Sequence, residues 1–240
     1  VSSTPLVSVI IPAFDAERFI GEAIESVLAQ TYSPIETIVI DDGSRDATAE
    51  VAAAYPQVRV IRQENAGPAT SRNRGFAASS GGLVTFHDAD DAMTPDKLEV
   101  QVGHLLANPG VGVVMGEQEV IVEPGSVLPF WVEGSSAQAA VPTRPADVSD
   151  GPDVHVMTML LRREVFVEVG PFDESIRPAE DIDWAMRAVE ADIEIAKLSR
   201  VLLRRRVHPE SLTQDVAAVR ASVFRAFKAR IERQRARAAG

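Results

Sequence analysis

The sequence predicts an α/β fold: a mostly parallel central sheet with helices on both faces. Three observations predict it. Short, almost wholly apolar runs at Leu6–Ile11, Ile35–Ile40, Val58–Ile61 and Leu83–His87 read as buried parallel strands. The segments between them carry helical periodicity, and strand–helix repetition of this kind means a sheet covered on two sides. The chain has 240 residues, 45% of them hydrophobic, which is enough for one sizeable core.

The elements follow in order. Leu6–Ile11 is broken only by Ser8 and bounded by Pro12. Asp15 is placed to cap the next helix, whose inner face is Phe19, Ile20, Ala23, Ile24, Val27 and Leu28. Asp46 is placed to cap a helix reaching Tyr55, and Pro68–Ser79 reads as another. Thr94-Pro95 is an N-cap followed by proline at the first helical position; Leu98, Val102, Leu105 and Leu106 supply that helix's inner face. The second half is less regular. Val111–Val122 reads as a strand or hairpin. Residues 123–151 have no period and are rich in Pro, Gly, Ser and Ala, as in a lid, an acceptor-binding insert or a disordered excursion. Val154–Leu161 returns as a strand, Arg163–Val169 as a short helix ended by Gly170-Pro171, and Ala179–Ala191 as a helix. Ile193–Leu203 is mostly strand and Thr213–Ala239 a long helix. The organisation predicted is a first half over 1–110, a second over 111–212 and a C-terminal helix over 213–240.

Ligands on parallel sheets bind at the carboxyl ends of the strands. Three polar clusters fall there: Phe14-Asp15, Asp41-Asp42-Gly43-Ser44 and Asp88-Ala89-Asp90-Asp91. Alternation continued from the strand puts Asp88 and Asp90 on one side and turns His87 away. Paired carboxylates repel unless hydrogen bonds or a cation hold them, and a hard divalent metal with a bound phosphate suits such a pair. A solvated acidic turn fits those residues equally well in isolation. Convergence of three clusters from different strands favours a site.

Composition narrows the classes. The net charge is −11, yet residues 200–240 carry 11 Lys+Arg against 3 Asp+Glu, so the body is strongly acidic. An acidic body argues against nucleic acid as partner. There is no Cys, hence no disulfide, thiolate metal site or cysteine nucleophile, which fits a cytoplasmic protein. No apolar run approaches the ~20 residues of a membrane span, and no signal peptide is seen. The chain does not open on Met, so its native start is not fixed.

The residues resemble those of family 2 glycosyltransferases. Val7–Asp15 is similar to the family's opening strand. Ser26–Tyr32, Ile38–Asp46 and the glycine–arginine–asparagine segment Asn65–Gly75 continue the match. Asp88-Ala89-Asp90 occupies the place of its DXD motif, and Gly170–Glu174 followed by Glu180-Asp181-Ile182-Asp183-Trp184 looks like its acceptor-side signature. Any one motif is weak; five in order, over about residues 5–212, are specific.

The resemblance implies a GT-A fold, in which a nucleotide-binding half merges with an acceptor-binding half. It implies transfer of a sugar, with inversion, from a nucleotide-diphosphate donor, a UDP-sugar for preference, using Mg²⁺ or Mn²⁺. By the same match Asp90 is the metal ligand, and Asp88 touches the ribose or a metal-bound water. Asp91 holds a sugar hydroxyl or caps the turn. His208, in Arg206-Val207-His208, reaches metal or diphosphate, or is a plain loop histidine. Asp181 is the general base, and Glu180 positions the acceptor. Asp42, with Asp41 as the alternative, accepts the N–H of a uracil-like base framed by Pro12 and Phe14; turn chemistry before Gly43 competes for both. Arg72 meets a diphosphate oxygen, with Arg204, Arg205 and Arg206 as further candidates, and Asn73 holds loop geometry. Trp184 stacks on a sugar or is core; Trp131 is a weaker acceptor contact.

The acceptor hydroxyl is unspecified: a glycan, a lipid-linked sugar, a small molecule or a peptide. The Gln-x-x-Arg-Trp segment of processive synthases is missing and no further domain signal follows, so single-sugar transfer is expected. The C-terminal helix, with Val219, Val223, Phe224, Phe227 and Ile231 as an apolar stripe, is expected to pack on the body or form a homodimer; contact with anionic lipid is the less favoured reading. Two other functions compete. An inactive nucleotide-sugar-binding module is opposed by the intact Asp90/Asp181 pair. A nucleotidyltransferase would carry a glycine-rich, basic first loop where this chain has Pro12-Ala13-Phe14-Asp15.

Overall fold

The computed structural model describes residues 4–127 and 156–239. An eight-stranded sheet organises it: β1 (Val7–Ala13), β2 (Ile35–Asp41), β3 (Val58–Arg62), β4 (Leu83–Phe86), β5 (Ala92–Met93), β6 (Val113–Val122), β7 (Leu160–Arg162) and β8 (Ile195–Val207). The spatial order is β3-β2-β1-β4-β7-β6-β8-β5. The first four strands are parallel, and β1, β4 and the end of β2 are buried, as in a sheet covered on both faces. The second half departs from the expected pattern. β7 runs antiparallel between β4 and β6, β6 and β8 are parallel, and the two-residue β5 is antiparallel to β8.

Among the described residues, seven α-helices accompany the sheet: α1 (Ile20–Leu28), α2 (Thr48–Ala53), α3 (Pro68–Ala78), α4 (Lys97–Ala107), α5 (Arg163–Val169), α6 (Glu180–Glu190) and α7 (Val216–Ala239). Alternation along β1 builds two cores. Val7, Val9 and Ile11 pack with Ile20 and Ile24 of α1 and Leu98 of α4 on one face. Ile10 packs with Ala69 of α3, Phe166 of α5 and Trp184 of α6 on the other. α7 packs on α6 and on the segment before it, where Ile176, Ala179 and Ala226 form a small third cluster.

Several local expectations are corrected. Asp15 does not cap α1; it adopts a left-handed φ of 47° and turns its carboxylate to Arg45. Asp46 accepts from Thr48 N, but α2 ends at Ala53, short of Tyr55. α4 starts two residues beyond Pro95, because Thr94 and its neighbours first pair with β8. Leu106 is 56% exposed and Leu28 39%, each one step past the buried stripe. Val111–Val122 is a single strand rather than a hairpin, and Val156–Thr158 is a 3₁₀ turn ahead of β7. Most of segment 123–151, with Trp131 and His155, lies outside the described residues.

Candidate functional site

β4 stops at Phe86, so the acidic cluster sits in a turn rather than on an alternating strand. The turn achieves what alternation was expected to do. One carboxylate oxygen from each of Asp88, Asp90 and Asp91 lies within 4.8 Å of the other two. Asp91 is buried and accepts Arg206 N at 2.9 Å, tying the turn to the end of β8. Burial and the neighbouring Asp90 and Asp88 push its carboxyl well above the usual range. Its hydrogen bond fits the turn-holding alternative. Ala89 is buried in the core below.

β8 also delivers His208. Its Nε2 is 3.1 Å from Asp90 Oδ2, and its ring packs on Phe19 with centroids 4.4 Å apart. With His208 at Asp90, the three Asp carboxyl groups form a donor set that could hold a divalent metal ion. A cation among them would also relieve the mutual repulsion that raises Asp91, so the residues present fit a divalent ion. Arg206 is committed elsewhere, to Glu22, Glu123 and the carbonyl of Asp90. Arg204 turns to Glu119. Arg205, on the alternate face, acts electrostatically on Asp91.

Arg72, from α3, links this cluster to α6. One terminal nitrogen donates to Asp88 Oδ1 at 2.8 Å, the other to Glu180 Oε1. Arg72 is only 5% exposed and lies 5.8 Å from the centre of the Phe172 ring. It was expected at a diphosphate oxygen; its burial and its two carboxylate partners instead support holding Asp88 and Glu180 together. Burial raises the Glu180 carboxyl above its ordinary value, with the Arg72 guanidinium opposing.

The segment entering α6 is unusual. Ala179, its N-cap, has φ 104°, a conformation that favours glycine. Glu180 and Asp181 occupy the first two helical positions, where the helix dipole favours carboxylates. Asp181 is half-buried and accepts Ile182 N at 2.8 Å. Asp183 turns to Arg187 and Arg233, each at 2.9 Å. Asn73 spans to Phe172 N and O, in the loop-holding role expected of it. Trp184 is fully buried, donates Nε1–H to the Gly170 carbonyl at 2.9 Å and stacks on Phe166; it is core.

The first two strand ends meet beside the cluster. Asp15 N donates to Ser44 Oγ at 3.0 Å. Asp41 is buried and accepts Ser44 N at 3.1 Å, the turn chemistry before Gly43 (φ 78°), and pairs with Arg62. Asp42 accepts from Gln63 Nε2 at 2.7 Å, Ala66 N at 2.9 Å and Gly67 N at 2.7 Å, which leaves about one of its four acceptor positions open. Pro12 is half-buried at the end of β1, and Phe14 is 44% exposed with Arg45 5.5 Å from its ring centre.

Lys97 carries no sequence expectation, and His87 is expected only to turn away from Asp88; both are buried. Lys97 is fully buried and donates to Thr85 Oγ1 at 3.2 Å; burial lowers its pKa to about 7. His87 is fully buried 3.5 Å from Ser26 Oγ, its pKa lowered to about 3 by burial and by Lys97, so it is neutral. A lysine in register with Leu98, Val102 and Leu105 on the inner face of α4 was the available signal. Phe19, on the inner face of α1, also meets His208, a contact that spans most of the chain.

Residues 8–170 match the family model described as glycosyl transferase family 2. An uncharacterized glycosyltransferase of Rickettsia felis is 32% identical over 223 residues, covering 89% of this chain and 36% of the relative. Among the first curated relatives, the chain spans between 31% and 66% of their length. The mannosyltransferase PcManGT of Pyrobaculum calidifontis, solved with GDP-Man and Mn²⁺, has a similar fold: TM-score 0.72 and 21% identity over 96% of this chain and 65% of that one. S. aureus TarS 1-349, solved with UDP-GlcNAc, gives TM-score 0.70 and 21% identity over 87% and 60%. The expected GT-A architecture is thereby met.

Proposed function

The chain belongs to glycosyl transferase family 2, and from that premise we propose that it moves a single sugar, with inversion, from a nucleotide-diphosphate donor to an acceptor hydroxyl. One observation carries the reading. The Asp88/Asp90/Asp91 cluster with His208 is joined through Arg72 to Glu180, the residue before Asp181. Donor-side and acceptor-side carboxylates thus share one guanidinium.

Asp90, Asp88 and His208 would hold Mg²⁺ or Mn²⁺; the ion, when bound, stabilises the negative charge of the departing diphosphate. Asp42 offers its open acceptor position to the base N–H, with Pro12 and the exposed Phe14 ring framing the base. A UDP-sugar is the donor proposed. PcManGT, with GDP-Man, makes GDP the nucleotide to test beside it.

Asp181 takes the acceptor proton. In one in-line step the acceptor oxygen bonds to the anomeric carbon as the bond to the diphosphate oxygen breaks. The bonding pair leaves with the diphosphate, and the hydroxyl proton passes to Asp181. Glu180, fixed by Arg72, orients the acceptor.

Titration calorimetry with UDP and GDP, with Mn²⁺ and again with EDTA, tests the donor site. Asp181→Asn then tests the chemistry. It should abolish transfer while leaving donor affinity within a few-fold. Loss of donor binding in a folded Asp181→Asn protein would remove the base assignment. Donor binding without transfer by the unaltered protein, across candidate acceptors, would instead favour a binding module.

A further inference from the structure

α7 is a helix with two different faces. Val219, Ser222 and Ala226 are buried against the body, and Arg233 reaches Asp183 and Glu190 of α6. The spacing of Phe224, Phe227 and Ile231 places them on the opposite face, where they are 72%, 36% and 48% exposed. Lys228 and Arg235 share that face and are exposed. The one acid beside them, Glu232, meets Lys228 only at 3.9 Å, with both side chains about two-thirds exposed, a contact that holds neither group firmly. Of the two packings expected for this stripe, on the body or on a second copy, the body does not take up the two aromatic rings, which are presented outward between cations.

We propose that this face of α7 docks on an anionic lipid surface. Apolar side chains flanked by Lys and Arg match a bilayer whose headgroups are negative and whose acyl boundary is apolar. Charge argues against a second copy as occupant. A two-fold pairing would set the cationic stripe against itself. Area argues the same way. The exposed apolar surface of these three side chains is on the order of 300 Å², below the roughly 450 Å² apolar share of the ~800 Å² per partner in a standard interface. The acid excess of the chain lies in the body, which an anionic surface repels, so the basic helix sets the orientation. α7 packs on Ile176, Ala179 and Ile182, the segment bearing Asp181, so docking holds that side of the site within about one helix diameter of the lipid.

The test is cosedimentation with vesicles of phosphatidylcholine, with and without phosphatidylglycerol, at low and high salt. No sugar donor is needed, so the outcome is separate from that of the transfer reading. The expected result is binding to the anionic vesicles alone, lost at high salt. Lys228→Glu/Arg235→Glu should weaken it about thirtyfold or more. Phe224→Ser/Phe227→Ser should weaken it at least as far; these side chains are exposed, and circular dichroism checks the fold. Protein that stays in solution overturns the proposal. So does equal binding to neutral vesicles, or variants that bind like the unaltered chain. A dimer seen by light scattering and abolished by Phe224→Ser/Phe227→Ser would assign the face to a second copy instead.

Discussion

His208 Nε2 lies 3.1 Å from Asp90 Oδ2, and its ring rests on Phe19 with centroids 4.4 Å apart. Two residues 118 positions apart thus form one side of the acidic cluster, with the imidazole held by packing. The proposed metal site therefore depends on the end of β8 as well as on the turn after β4. His208→Ala should weaken Mn²⁺-dependent nucleotide binding by about 10- to 100-fold, the range typical for residues that hold or orient a metal ligand. Asp90→Ala should remove the Mn²⁺ dependence altogether. Calorimetry with UDP and GDP, with and without EDTA, reads both; unchanged Mn²⁺ dependence in Asp90→Ala would remove the ligand assignment.

Arg72 should matter to stability as well as to the site. Its replacement by Met leaves Asp88 and a buried Glu180 without their shared cation. Removing one partner of a buried ion pair costs about 3–5 kcal/mol. Urea unfolding of Arg72→Met should show a loss of that order. Adding Glu180→Gln removes the stranded charge, so the double variant should recover part of the loss. If the double variant is no more stable than Arg72→Met, the Arg72–Glu180 pair is not where the energy lies.

Ala179 holds a backbone conformation that glycine adopts without steric cost, at the residue before Glu180. Strain of this kind costs of order 1–3 kcal/mol and collects at functional sites. Ala179→Gly should relieve it, offset in part by the greater freedom of glycine in the unfolded chain. The net expectation is a gain of about 1 kcal/mol in urea unfolding. A loss of stability would mean that the buried Ala179 methyl, packed against Ile176 and Ala226, contributes more than the strain costs.

The parallel half was legible because β1, β4 and the end of β2 are buried and rich in apolar residues. The second half was harder. β5 has two residues and β7 three, too short to carry any period, and their strand identity comes from pairing with β8, β4 and β6. Site residues were legible where a motif is contiguous, as in Asp88–Asp91 and Glu180-Asp181. What joins them was not. The Arg72–Glu180 contact spans 108 positions, and no local pattern distinguishes an arginine that meets a carboxylate from one that meets a phosphate. Asp15 failed as a cap for a similar reason: its partner Arg45 lies on another loop.

Lys97 gives the pH dependence a specific test. Its ammonium is fully buried with Thr85 Oγ1 as acceptor, and burial lowers its pKa to about 7, against 10.5 for the ordinary group. The sign follows from proton binding. Between about pH 7 and 10.5 the unfolded chain holds this proton and the folded chain does not, so this group makes stability rise with pH through that window. Below the folded value both states are protonated, and the cost of burying the charge is constant. The slope is at most about 1.4 kcal/mol per pH unit. Lys97→Met keeps the shape and removes the charge. It should be more stable than the unaltered chain at pH 7, with the difference shrinking steadily toward pH 10. Urea unfolding of both proteins at pH 7, 8 and 9 checks this. A pH-independent difference would mean that Lys97 stays charged in the folded protein across this range.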